Sequence, residues 1–238
     1  MKLFKRTDIG KRKENQDTID NKSFETGVLA VVCDGMGGGL YGKEVSERAA
    51  NRFIRVFEKG YNPDMTDFYD LLILAMQEAN SVAYEVGEIA RRIGATSGTT
   101  CVAAFVTKDL AHIVNVGDSR AYLIDKDEIK QITTDHSAVQ LMYDLGEITK
   151  EELKTHPRRN ILLRVLGVEP TVKAQYIKKK YDDGLLMLCS DGLTNAVSDE
   201  QILEIANSTF LNVSATTLVE QAVINGGSDN ISVIMIAK

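Results

Sequence analysis

Asp34, Asp118, Asp191 and Asp229 stand at the borders of apolar segments. Asp34 follows Val31-Val32-Cys33 and precedes Gly35-Met36-Gly37-Gly38-Gly39, and Asp118 follows Val114-Asn115-Val116-Gly117. Asp191 follows Met187-Leu188-Cys189-Ser190, and Asp229 precedes Asn230-Ile231-Ser232-Val233. Each apolar segment reads as a buried strand. If those strands lie side by side, four carboxylates collect at one edge of the core, where mutual repulsion raises their pKa values or demands a cation. Carboxylates without accompanying histidine or cysteine suit Mg(II) or Mn(II), and with three histidines in the chain a zinc or copper site would be poorly supplied. Glycine after Asp34 lets the backbone approach an ion closely, so the Gly35 carbonyl could join the shell. A plainer reading stands beside this one: Asp-Gly and Asp-Asn are common turn pairs, and spacing alone leaves the turn and the cation evenly balanced.

The elements that would have to position these side chains can be read from periodicity. Short runs rich in β-branched residues at 28–33, 99–106, 111–116, 121–124, 172–177, 185–189 and 231–236 predict strands. The interruptions Lys108-Asp109 and Gly117-Asp118-Ser119 are short enough for hairpins, which favours antiparallel pairing. Apolar residues at spacings of three and four predict helices over 66–93 and 43–58. Ser198-Asp199-Glu200-Gln201 has the form of a capping box opening another helix, and a last one covers 214–224 before Gly226-Gly227. Strands interleaved with pairs of helices predict an α+β fold, with antiparallel sheets packed together and helices outside.

Composition bounds the rest. A chain of 238 residues with 26% charged and 44% hydrophobic residues is an ordinary globular one. Three prolines and no Gly/Ser-rich or charge-block linker predict a single domain over 1–238. Twenty-eight basic against thirty-four acidic residues give a net charge of −6, which disfavours nucleic acid and anionic membrane as partners. The opening Met1-Lys2-Leu3-Phe4-Lys5-Arg6-Thr7 is charged with no apolar run after it, so neither a signal peptide nor a membrane anchor is expected and a cytoplasmic location is. Cys33, Cys101 and Cys189 sit in apolar runs and read as buried, inert thiols.

Eight short motifs then occur in order: Arg12-Lys13-Glu14-Asn15-Gln16-Asp17, Val32-Cys33-Asp34-Gly35-Met36-Gly37-Gly38, Gly98-Thr99-Thr100, Val116-Gly117-Asp118-Ser119-Arg120, Thr134-Asp135-His136-Ser137, Arg164-Val165-Leu166-Gly167, Ser190-Asp191-Gly192-Leu193 and Ser228-Asp229-Asn230-Ile231. Together they resemble the protein phosphatase 2C family of metal-dependent serine/threonine phosphatases in its short bacterial form, over nearly the whole chain. The resemblance implies two packed antiparallel β-sheets flanked by pairs of antiparallel helices, a four-layer αββα sandwich with a two-metal site at one end. It implies that Asp34 bridges two Mn(II) or Mg(II) ions, that Asp191 and Asp229 complete one of them and that the Gly35 carbonyl binds the other. Asp118, with Asp191, matches the position of a third, weaker metal. The implied reaction is hydrolysis of phosphoserine and phosphothreonine monoesters in proteins by a metal-bridging water, with Arg12 gripping the phosphate. The implied partners are phosphorylated proteins, including a serine/threonine kinase or its substrates, and a monomer is expected.

Several positions bear on the chemistry separately. Arg12 could instead be a surface arginine, and Lys13 could take its role. Met36 and Gly39 stand where many relatives carry histidine, so the acid that protonates the leaving alkoxide is open between His136 and a water. His136 could also simply hold backbone groups. Gln16 stands where some members have glutamate. The segment at about 137–164 corresponds to a flap, where Arg158 and Arg159 meet a phosphoprotein or solvent alone. The glycine run at 37–39 lacks the lysine-serine/threonine ending of a P-loop. A catalytically inactive relative would be expected to lack one or more of Asp34, Asp191 and Asp229; all three are present.

Overall fold

The computed structural model describes residues 1–37, 41–181, 183–208 and 210–238. The chain begins with strands β1 (Lys2–Asp8), β2 (Asp17–Ser23) and β3 (Gly27–Met36), then helices α1 (Tyr41–Gly60) and α2 (Tyr69–Arg92). Strands β4 (Gly98–Thr99), β5 (Cys101–Thr107), β6 (Leu110–Val116), β7 (Arg120–Ile124) and β8 (Ile129–Gln131) follow. Helix α3 (Ala138–Asp144) and a 3-10 turn at Glu152–Lys154 precede β9 (Gln175–Lys180) and β10 (Leu185–Cys189). The chain closes with α4 (Asp191–Thr194), α5 (Asp199–Ser208), α6 (Leu211–Ile224) and β11 (Ile231–Ala237).

Two antiparallel sheets form, one in the order β1-β11-β10-β7-β8 and the other β2-β3-β5-β6-β9, with β4 also pairing β3. Alternate residues of β3 and β5 point to opposite faces. Leu29, Val31, Cys33, Cys101, Ala103 and Phe105 pack under α1 and α2, whereas Val28, Ala30, Val32, Val102 and Ala104 meet Leu186, Leu188, Ile234 and Ile236 of the other sheet. The outer face of that other sheet, through Met187, Cys189, Val233 and Met235, packs under α5 and α6. The result is the expected αββα sandwich, each strand splitting its side chains between two of three apolar layers.

The helices follow the predicted periodicity. Val45, Ala49, Phe53 and Phe57 are buried along α1, and Leu72, Ala75, Met76, Ala79 and Ala83 along α2. The predicted capping box is made: the Ser198 amide donates to Gln201 Oε1 (3.1 Å) and the Gln201 amide to Ser198 Oγ (3.3 Å). All three cysteines are buried free thiols. Among the described residues no helix is long and apolar enough to cross a membrane.

One expected hairpin is absent. Lys108-Asp109 does turn β5 into β6, but Gly117-Asp118-Ser119 does not pair β6 with β7, because these strands belong to different sheets. The turn is a crossing between layers. The strand expected at 172–177 lies at Gln175–Lys180, and the run expected over 99–106 is broken at Thr100.

Candidate metal centre

Asp34 lies inside β3, directly opposite Asp17 of β2. Its backbone is held from the other side: the Asp34 amide donates to Thr100 Oγ1 (3.0 Å), and the Thr100 amide and Thr99 hydroxyl both donate to the Asp34 carbonyl (2.9 Å each). Thr100 Oγ1 also shares a hydrogen bond with Ser119 Oγ (2.7 Å), tying Asp34 to the residue after Asp118. A Cβ on Gly35 would stand 2.2 Å from the Gly42 carbonyl oxygen, so glycine is required here by the close approach of the start of α1.

Asp191 and Asp229 come from the other sheet, at the adjacent ends of β10 and β11. Asp191 is the first residue of α4, and its Oδ2 accepts from Asn195 Nδ2 (3.0 Å). A Cβ on Gly192 would fall 2.0 Å from the Asn230 carbonyl oxygen, which explains how closely these two segments approach. The Asn230 amide donates to Asp229 Oδ1 (2.9 Å), and Arg12 Nη2 donates to Asp229 Oδ2 (2.8 Å). Asn230 itself organises the segment carrying Arg12. Its Nδ2 donates to the carbonyls of Ile9 (2.9 Å) and Glu14 (3.0 Å), and its Oδ1 accepts from the Gln16 amide (2.9 Å).

Asp118 sits on the crossing between sheets. That crossing is pinned by a two-pronged pair in which Arg120 Nε donates to Asp135 Oδ1 (3.0 Å) and Arg120 Nη2 to Asp135 Oδ2 (2.7 Å). His136 completes the clamp: the Gly117 amide donates to His136 Nδ1 (3.1 Å), and the His136 amide donates to the Gly117 carbonyl (2.9 Å). Burial, then the charge of Arg164, lowers the His136 pKa to about 4. The ring is neutral near pH 7 and holds backbone.

Protein surrounds these carboxylates on most sides while the cleft leaves them half-exposed. Burial pushes Asp17 up to about 7 and Asp118 up to about 8. Asp34 is raised well above its ordinary value by burial and then by Asp17, Asp191, Asp118 and Asp229. Asp191 is raised by burial and then by Asp229. Among the described residues no three Asp, Glu, His or Cys side chains close into a ready-made cage. Oδ1 of Asp17 and Oδ1 of Asp191 are nevertheless buried acceptors with no hydrogen-bond partner among the described residues. Crowded, acceptor-only oxygens of this kind fit a hard divalent cation, and a loose set suits an ion that keeps part of its water.

The cleft above them, about 1270 Å³, is lined by all four predicted aspartates together with Gly35, Met36 and Arg12. Lys11, Lys13, Lys154 and Arg159 give it a basic rim. Arg159 reaches the lining and Arg158 does not; no histidine lines it among the described residues. Gly39, with Gly38, lies outside the described residues. Sequence reasoning assigned no role to Asp17, Thr100 or Asn230, although each stands within a motif already singled out. For Asp17 the available signal was its register opposite Asp34, which requires β2 to be recognised as a strand.

Comparison with known proteins agrees with this architecture. The family profile for protein phosphatase 2C matches residues 6–223. The chain is 37% identical to the serine/threonine phosphatase stp of Listeria innocua over 241 residues, covering 98% of this chain and 94% of that protein. Its structure resembles that of serine/threonine phosphatase Stp1 from Staphylococcus aureus, with a TM-score of 0.92 and 33% identity over 99% of this chain and 94% of the other. It also resembles the catalytic domain of PstP in complex with two manganese ions, with a TM-score of 0.83 and 31% identity over 98% and 96% of the two chains. The chain belongs to the protein phosphatase 2C family of metal-dependent serine/threonine protein phosphatases.

Proposed function

We propose that this cleft hydrolyses phosphoserine and phosphothreonine in proteins, including a serine/threonine kinase or its substrates, with two or three Mn(II) or Mg(II) ions. Asp34, the Gly35 carbonyl, Asp191 and Asp229 hold the principal pair, and Asp118 with Asp191 holds the weaker third. The observation that carries this assignment is the buried Oδ1 of Asp191, without a hydrogen-bond partner among the described residues, in a cleft where burial and neighbouring aspartates raise the pKa values of Asp34 and Asp191. The structural neighbour described with two manganese ions supports the same reading.

Bound divalent cations supply a water of lowered pKa and positive charge against the phosphate oxygens. The chain's own residues do the rest. Arg12 offers planar N–H donors to the phosphate, and the basic rim draws the dianion towards an otherwise acidic floor. Asp17 stands behind Asp34 and accepts from Ser190 Oγ (2.8 Å), fixing the distance between the sheets beneath the site. His136 holds Gly117, so the leaving alkoxide takes its proton from water in the cleft. The whole chain acts as one catalytic unit, with 137–164 as its flap.

Turnover of p-nitrophenyl phosphate by the purified protein, with chelator and then with Mn(II) or Mg(II) restored, tests this assignment. Activity is expected to vanish with chelator, to return with metal and to be lost in Asp34→Asn. Full activity in chelator would refute the ligand assignment.

A further inference from the structure

The Arg12 guanidinium, assigned above to the phosphate, donates to Asp229, assigned above to a cation. Asp229 Oδ1 accepts from the Asn230 amide and Oδ2 from Arg12, so a cation at Oδ2 would meet the guanidinium directly. The backbone around Arg12 is fixed, with the Lys11 amide donating to the Gly227 carbonyl (2.7 Å) and Asn230 bonding Ile9, Glu14 and Gln16. The side chain is 56% exposed, and among the described residues its one hydrogen bond runs from Nη2 to Asp229.

We propose that Arg12 is exchanged between Asp229 and phosphate. With no cation at Asp229 the guanidinium neutralises that carboxylate; a cation there takes over the neutralisation, repels the guanidinium and turns it to the phosphate. Metal and phosphate then load the cleft with positive cooperativity, because each removes the competitor of the other, and by linkage the coupling is the same in both directions. This inference rests on the proposed roles of Asp229 and Arg12, and adds that one residue couples them.

Calorimetric titration of Mn(II), without substrate, into the wild-type chain, Arg12→Ala, Arg12→Lys and Lys13→Ala tests it. Lys13→Ala removes one charge from the same cleft lining without touching Asp229. Arg12→Ala is expected to bind Mn(II) about three- to five-fold more tightly than wild type, the competition an exposed ion pair can exert. Lys13→Ala is expected to change much less, and Arg12→Lys to fall between. A second titration follows inorganic phosphate with and without Mn(II), where the gain in phosphate affinity brought by the metal should shrink in Arg12→Ala. If Arg12→Ala and Lys13→Ala tighten Mn(II) equally, or neither does, the exchange is overturned while the metal site stands. If the wild-type chain takes up no Mn(II), the site assignment falls with it.

Discussion

His136 is clamped to Gly117, the residue before Asp118, and is the histidine to weigh as a proton donor in the absence of one at position 36. Its Nδ1 is occupied as an acceptor from the Gly117 amide, and burial keeps the ring neutral down to about pH 4. The neutral ring carries its remaining proton on Nε2, and among the described residues no histidine lines the cleft from which that proton could pass to an alkoxide. His136→Ala is therefore expected to lower kcat by far less than the about 100-fold that loss of a general acid costs. The shape of its pH–rate profile between pH 6 and 9 should stay unaltered, and stability should drop by about 1 kcal/mol for the lost hydrogen bond. Disappearance of one limb of that profile would return His136 to the chemistry. At this scale the four aspartates were legible because apolar strand residues flank each of them. Asp17 was not, because Glu14, Asn15, Gln16 and Asp20 surround it and hide its strand.

The same contrast governs the elements. Interior strands such as β3, β5 and β11 are apolar on both faces and are plain in the sequence. The edge strands β1 and β2 read Lys2-Leu3-Phe4-Lys5-Arg6-Thr7-Asp8 and Asp17-Thr18-Ile19-Asp20-Asn21-Lys22-Ser23, and nothing in them signals pairing except the neighbour they join. Charge on an edge strand also protects it from pairing with another chain, and Lys178, Lys179 and Lys180 do this for β9 at the opposite edge. The Gly117-Asp118-Ser119 crossing was misread for a related reason: a short turn between two apolar runs looks the same whether the runs pair or pass to separate sheets. Helix α4 makes the element scale testable. Gly192→Ala would drive a Cβ into the Asn230 carbonyl, so it is expected to cost about 3 kcal/mol and to weaken Mn(II) binding at the same time, since α4 carries Asp191. Urea unfolding and Mn(II) titration of the variant check both; an unchanged pair of values would show that the segments part freely.

For the molecule as a whole, the carboxylate cluster makes stability depend on pH and metal together. A carboxyl whose pKa is higher in the fold than in the unfolded chain, near 3.9, holds its proton in the native state first. Its contribution is full below the unfolded value and is lost as pH rises through the folded value. For Asp17 and Asp118 those folded values are about 7 and about 8. In chelator the protein should therefore melt at higher temperature at pH 6.5 than at pH 8.5, and Asp17→Asn should flatten part of that slope. His136 works oppositely below about 6.5, where the unfolded chain takes up a proton that the buried ring refuses. Saturating Mn(II) should raise the melting temperature at pH 8.5 more than at pH 6.5, because a cation takes the place of the protons and binds the native state alone. Scanning fluorimetry at the two pH values, with chelator and with Mn(II), reads the result; a metal effect independent of pH would detach the cluster from the cation.

The pairing of β1 with β11 joins Lys2 to Ala237 and Asp8 to Ile231. Pairing between segments so far apart in sequence is non-local, the kind of contact that comes at an entropic cost before it is rewarded. Until that seam forms, the segment bearing Arg12 has no Asn230 to hang from, and Asp229 shares no floor with Asp34. Phosphatase activity is thus expected to be absent from any chain that lacks β11, because the seam itself brings the two halves of the cleft together.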